Sequence, residues 1–218
     1  EIRIRTVALK IARSENPYIL GEIRQNISLL TSPNLNNEVK QSLLQIYEAG
    51  YIPGIPNQIY AVVEFFQGQT LREAFYRIKG IVPFQLIIPK VMRIVTAIAS
   101  LHQCSPPVIH GDLTPDNIMI DLDNSVKIID FGCYPSEDTI STYLTAAEPY
   151  AAPETLRLNL YSTASDVYSL GIILYEILTG LHPFETLIPD WRLSSVLRNE
   201  WISHKKAGFI PVNPSSIN

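Results

Sequence analysis

Asp112, Asn117 and Asp130 set two carboxylates and a carboxamide along a short stretch of this chain. Such an oxygen-only set suits magnesium, which binds through one or two carboxylates and completes its shell with water and the phosphates of a nucleotide. Asn117 and Asp130 fit that part. Asp112 is then left to take the proton of an acceptor hydroxyl, the work of a general base. Asp and Asn are also common turn residues, and taken singly each of the three reads as a turn former.

The elements around them decide whether they meet. Residues 117–121 and 126–131 read as short strands joined by a turn at Leu122-Asp123-Asn124, and 110–117 reads as a loop leading into them. A hairpin of this kind would bring Asn117 and Asp130 together at its mouth, with Asp112 beside them. Upstream, Arg5 to Ala12 alternates as a strand, with Ala8 and Lys10 on one face and Val7, Leu9 and Ile11 on the other. Ile19, Ile23, Ile27 and Leu30 recur at helical spacing, and Glu22 lies off that stripe. Thr31 to Asn37 reads as a loop. Leu43 to Tyr47 and Ile59 to Phe66 read as strands around a turn at Pro53, Gly54 and Pro56. Gly68 stops the second of these, and a hinge between two parts of the chain is expected at Glu64 to Gly68.

Beyond the hinge the pattern turns helical. A helix is expected over Thr70 to Ile78. A longer amphipathic one carries Val91, Ile94, Val95, Ile98 and Leu101 and ends before Pro106-Pro107. Asp166 to Thr179 is apolar nearly all round, as in a helix buried inside a large body.

Composition narrows the classes. The 218 residues suit one domain, or one domain of two lobes, able to bury roughly three quarters of its unfolded surface. Hydrophobic residues make up 46% and charged ones 17%, far from the balance of a disordered chain. A net charge of -4 with no basic run argues against nucleic acid and against an anionic membrane. The apolar stretches 87–101 and 167–181 are short and carry charges, so no membrane insertion is expected. Cys104 and Cys133 show no metal or disulfide spacing, and nothing at the start reads as an export leader, which points to the cytoplasm.

Read as a set, the residues resemble a known family. His110-Gly111-Asp112-Leu113-Thr114-Pro115-Asp116-Asn117 resembles the catalytic loop of protein kinases, HxDLxxxN, and Asp130-Phe131-Gly132 follows as its DFG. Ala152-Pro153-Glu154 matches APE, Asp166 to Gly171 matches DxxSxG, and Val7-Ala8-Leu9-Lys10 resembles the VAIK strand. The chain is identified as similar to a eukaryotic-type Ser/Thr protein kinase catalytic domain.

The resemblance implies an α+β, two-lobed kinase-like fold, with residues 1–66 as an incomplete, small antiparallel-sheet lobe and 67–218 as a mainly helical lobe. It implies ATP and magnesium as cofactors and a protein acceptor carrying Ser or Thr. Asp112 would orient the acceptor hydroxyl, Asn117 and Asp130 would bind magnesium, and Lys10 would grip the phosphates with Glu22 as its helix partner. Ala8 and Met119 would sandwich the adenine, Val63 would hold the gatekeeper position, and backbone groups of Glu64 and Phe66 would bond the adenine edge. Packed aliphatic core is the competing reading of Ala8, Met119 and Val63. His110 is expected to pack and hydrogen-bond, with no part in proton transfer.

Several departures accompany the match. Six residues precede Val7, leaving no room for a glycine-rich phosphate loop, and the chain ends before the closing helices of the family, so a domain truncated at both ends is expected. Gly111 stands where regulated kinases carry an arginine, so activity is expected not to depend on phosphorylating Ser136, Thr139, Ser141, Thr142 or Thr145. Thr114 and Ala147 replace the lysine and threonine pair usual in Ser/Thr kinases. Two other readings compete: a weak or inactive binding module of the pseudokinase type, and a small-molecule phosphotransferase of the aminoglycoside type.

Overall fold

The computed structural model describes residues 5–13, 23, 26–28, 30–31, 35–56, 58–77, 84–123, 125–130, 149–185 and 195–207. Within them the fold is mixed α+β, as expected. β1 (Val7–Arg13), β2 (Ile46–Tyr51) and β3 (Gln58–Glu64) form an antiparallel sheet in the order β1-β3-β2. β4 (Gln69–Thr70), β5 (Ile118–Ile120) and β6 (Val126–Ile128) form a second antiparallel sheet in that order. The helices are α1 (Asn37–Ser42), α2 (Leu71–Arg77), α3 (Phe84–His102), α4 (Pro153–Leu158), α5 (Thr163–Thr179) and α6 (Ser195–Lys206).

The first sheet follows from alternation. Ala8 on β1 pairs with Val63 on β3, and Lys10 with Ala61. Ala8 packs against a small core of Leu44, Ala61 and Val63, while Val7, Leu9 and Ile11 are exposed on the opposite face. The predicted helix at 19–30 lies largely outside the described residues, although 26–28, 30 and 31 are helical.

The segment between 31 and 47 differs from expectation. α1 occupies 37–42, starting on the last residue of the loop expected over 31–37 and filling 38–42, for which no element is predicted from the sequence. Its start is set by Asn36, whose side chain accepts the Val39 N–H at 2.8 Å and so satisfies one of the unpaired donors of the first turn. The strand then begins at Ile46 and not at Leu43. Leu43 is fully buried and bridges in parallel to Ile128 of β6, and the Leu44 N–H donates to the Ile128 carbonyl at 3.0 Å. Burial of Leu43 in the larger core outweighs its continuation into β2. That core also holds Leu35 and Val39 together with Leu71, Ile94, Ile98, Leu101, Ile118, Ile128 and Ile173, so α1 packs with residues beyond the expected hinge.

Eight of the 17 residues of α5 are buried, including Ile172, Ile173 and Ile177, while Val167 and Leu178 are exposed, so the helix is covered on one side and not all round as its apolar composition suggests. It starts at Thr163, earlier than the apolar pattern suggests, because Ser162 and Ser165 exchange side-chain to backbone hydrogen bonds in a capping box. Gly180 ends it at φ 73, a conformation that glycine adopts without a Cβ penalty. Among the described residues no helix is long and apolar enough to cross a membrane.

Candidate active site

The β5–β6 hairpin assembles the oxygen-bearing residues. Its register pairs Ile118 with Ile128, and the Ile129 N–H donates to the Asn117 carbonyl at 3.0 Å. Asn117 closes a 3-10 turn, Pro115–Asn117, immediately before β5, and Asp130 lies just beyond β6. The Asn117 amide donates to the Asp112 carbonyl at 2.8 Å and to Asp112 Oδ2 at 3.0 Å. Asp112 and Asn117 are therefore one hydrogen-bonded unit, with Asp130 across the mouth of the hairpin. With its Nδ2 spent on Asp112, Asn117 presents Oδ1 as its remaining acceptor.

Asp112 is the chemically distinctive member. Among the described residues its Oδ1 is buried without a hydrogen-bond partner, whereas its Oδ2 accepts from Asn117. Burial pushes its carboxyl up from 3.8 to about 6, against the Asn117 hydrogen bond, and the charges of Asp130 and Asp116 add to the rise. A carboxylate poised closer to neutral pH, with one oxygen lacking a partner, is suited to accept a proton from a hydroxyl placed there.

The loop that carries Asp112 is held from below by Asp166, in the first turn of α5. Asp166 Oδ2 accepts from the His110 N–H at 2.7 Å, and Oδ1 accepts from the Gly111 N–H at 2.9 Å. His102 Nε2 also lies 2.8 Å from Oδ2. Gly111 adopts φ 80, the left-handed region, as the chain turns into Asp112. His110 is fully buried, and burial lowers its pKa. Its Nε2 donates to the Ile129 carbonyl at 3.1 Å while its Nδ1 accepts from the Asp112 N–H at 3.2 Å, so the neutral ring is a strut between the loop and the hairpin. This is the packing part expected of it.

Lys10 reaches the same place from the first sheet. Its ammonium contacts Asp130 Oδ1 at 2.6 Å and Oδ2 at 2.9 Å, with both side chains about half exposed. An ion pair this wet contributes little to stability, so its value is positional. Asp130 itself sits at φ 55, left-handed for a residue with a Cβ, a small strain of the kind that collects at functional sites. Glu22, the expected partner of Lys10, lies outside the described residues, as do Phe131, Gly132 and Cys133 and the hydroxyls of residues 136–145.

The remaining candidates line up along the two sheets. Val63 is buried and packs in one cluster with Ala8 and Phe66. Met119 is partly buried on β5, opposite Thr70 and Lys127. The Glu64 N–H donates to the Gln45 carbonyl at 2.8 Å. Its side chain has a further task that the sequence did not suggest: Oε2 lies 2.8 Å from the nearly buried ammonium of Lys127, tying the end of β3 to β6.

Sequence reasoning also missed a chain of contacts beside Asp112. Arg72 Nε donates to Asp116 Oδ2 at 2.6 Å, and its Nη2 donates to the Tyr150 hydroxyl at 3.3 Å. That hydroxyl donates in turn to Glu176 Oε2 at 2.6 Å. Only spatial neighbourhood reveals this set, because its members are scattered over α2, the catalytic-type loop, the 149–151 turn and α5. No local spacing announces it.

An oxygen donor set of Asn117 and Asp130 fits magnesium bound largely through nucleotide phosphates. Among the described residues no cluster of three or more His, Cys, Asp or Glu forms an all-protein metal cage. The positive group of Lys10, next to that set, fits an anionic ligand.

Comparison with known proteins identifies the family. The family profile for the protein kinase domain matches residues 3–208. The chain is 36% identical over 197 residues to the serine/threonine-protein kinase PknB of Mycobacterium leprae, covering 84% of this chain and 30% of that protein. It is 34% identical over 191 residues to the serine/threonine-protein kinase PrkC of Bacillus subtilis, covering 83% of this chain and 27% of that protein. A plant relative, AtPK2/AtPK19 of Arabidopsis thaliana, is 36% identical over 129 residues. The chain thus spans less than a third of the length of the two bacterial relatives. With its loop, hairpin and lysine arranged as above and its profile match running almost end to end, the chain belongs to the protein kinase domain family.

Proposed function

We propose that this domain transfers the γ-phosphate of ATP to Ser or Thr hydroxyls of protein acceptors. The observation that carries the proposal is the buried, unpartnered Oδ1 of Asp112 beside a hydrogen-bonded Asn117 and across from Asp130. Asp112 orients the acceptor hydroxyl and receives its proton at Oδ1 as the hydroxyl oxygen bonds the γ-phosphorus and the bond from that phosphorus to the bridging oxygen breaks, releasing ADP. Asn117 and Asp130 would hold magnesium. When bound, magnesium with ATP supplies the transferable phosphoryl group and neutralises the phosphate oxygens. Lys10, now resting on both oxygens of Asp130, serves the α and β phosphates.

Ala8 and Met119 take the faces of the adenine, Val63 stands behind it, and backbone groups of Glu64 and Phe66 meet its edge. Residues 1–66 and 67–218 form the two lobes, hinged at Glu64 to Gly68, with Glu22 as the helix partner of Lys10. Cysteine usage supports a cytoplasmic setting.

The test is magnesium-dependent ATP binding followed by calorimetry in wild type and Asp130→Ala. Wild type is expected to bind ATP at least about tenfold more tightly with magnesium than without, and Asp130→Ala is expected to lose that dependence. ATP binding that ignores both magnesium and the substitution would sink the proposal.

A further inference from the structure

Lys205, near the end of α6, is 1% exposed, an unusual place for an ammonium group. Its Nζ donates to the Pro149 carbonyl at 2.7 Å. The same nitrogen lies 4.9 Å from the ring centre of Trp201, 5.2 Å from that of Tyr168 and 5.7 Å from that of Phe184. Trp201 and Phe184 are themselves fully buried. Ring faces attract a cation, and a desolvated cation among them is held more firmly than one in water. Even so, an uncharged side chain would fill this space without the cost of removing a charge from water. One contact of this charge is the Pro149 carbonyl, which it ties to α6.

Pro149 is joined to Tyr150, which is also nearly inaccessible and whose phenol sits between Arg72 and Glu176. Arg72 in turn holds Asp116, in the same loop as Asp112 and Asn117. The 149–150 turn is thus pinned at two points: by Lys205 at the Pro149 carbonyl, where His182 Nε2 also lies 3.3 Å away, and by Arg72 and Glu176 at the Tyr150 hydroxyl. The second tie runs to the Asp112 loop. The turn also leads directly into Ala152, the cap of α4. Among the described residues, none of the contacts named here is made by Lys10 or by β3.

We propose that Lys205 is a positioning residue for the protein acceptor: its caged ammonium holds the 149–150 turn in place beside the Asp112 loop and leaves the nucleotide side untouched. This rests on the kinase reading above. The test uses the full-length protein and compares wild type with Lys205→Met, which keeps the volume and removes the charge. Phosphorylation of casein is followed at varied casein and varied ATP, and hydrogen exchange is followed over 149–152.

Lys205→Met is expected to raise the casein KM about tenfold or more, to leave the ATP KM within about twofold, and to speed exchange at 149–152, while α5 stays protected. If it does not fold, Trp201→Phe keeps the ammonium, trims its cage and is expected to give the same split at about threefold. Casein and ATP KM moving together, or exchange at 149–152 unchanged, would overturn the proposal. A wild type that phosphorylates neither casein nor itself would overturn the kinase reading and the acceptor role with it. Exchange would then report only whether Lys205 fixes the turn.

Discussion

Asp112 and Asp166 are carboxylates drawn out of water at the two ends of one interaction, the first on the loop and the second beneath it. Asp166 spends both oxygens, accepting the His110 and Gly111 N–H groups and meeting His102. Asp112 spends one and keeps Oδ1 without a partner. A buried carboxylate surrounded by donors is structural, since its charge is matched and its geometry fixed. One left half satisfied carries a penalty in the resting protein that a reacting proton can relieve. Under the function proposed above, Asp112 is the residue that does chemistry and Asp166 the one that aims it.

The largest expected effect tests the first half of this contrast. Asp112→Asn keeps the shape of the side chain and removes its basicity, and phosphoryl transfer to a protein acceptor is expected to fall about 10²- to 10⁴-fold. Initial rates of acceptor phosphorylation at saturating ATP check this. A variant retaining most of its rate would deny Asp112 the role of base.

Asp166→Ala tests the second half. It strips two backbone donors and His102 of their acceptor, and at about 1–3 kcal/mol for each unsatisfied buried group the loss should be about 3 kcal/mol or more. At roughly 2–4 °C per kcal/mol for a chain of this size, the melting temperature should drop by about 10 °C. A melt unchanged by Asp166→Ala would mean that α5 does not hold the loop.

The smallest effect sharpens the comparison through pH. Because the folded protein raises the Asp112 carboxyl from 3.8 to about 6, protonated Asp112 favours the folded state. That contribution is complete below about pH 4 and is lost as pH rises through about 6. Asp112→Asn does not titrate there. Denaturant melts in the presence of a chelator should therefore show the variant gaining on wild type from pH 4 to pH 7, by about 1–3 kcal/mol. A difference independent of pH would show that burial does not disfavour the Asp112 charge.

Legibility followed the range of the interactions. The β5–β6 hairpin, its polar turn and the position of Asn117 and Asp130 at its mouth were readable because neighbours in sequence pair with each other. α5 was readable as a helix from its apolar run, but its exposed side was not. α1 was missed because its helix rests on one capping residue, Asn36, and on six residues with no long periodicity. β2 was placed too early because Leu43, apolar and next to the strand, is taken by the larger core and by Ile128. α4 and α6 carry little local signal, and Lys205 on α6 reads in sequence as an ordinary surface lysine.

By itself the sequence determined which side chains could do chemistry and in what order they come: a lysine in an alternating strand, an aspartate and an asparagine five positions apart in a loop, and an aspartate after a short hairpin. Those are properties of residue type and short spacing, which the chain cannot alter by folding. Only the tertiary structure decided which of them meet. Lys10 reaches Asp130 across 120 residues, Asp166 reaches the His110 and Gly111 amides across more than 50, and Lys205 reaches Pro149 across 56. Such contacts depend on how the sheets and helices close around a shared core. Among the described residues, the same closure left Asp112 with one oxygen lacking a partner and Asp166 with both oxygens bonded, a difference that two identical side chains cannot carry in their own chemistry.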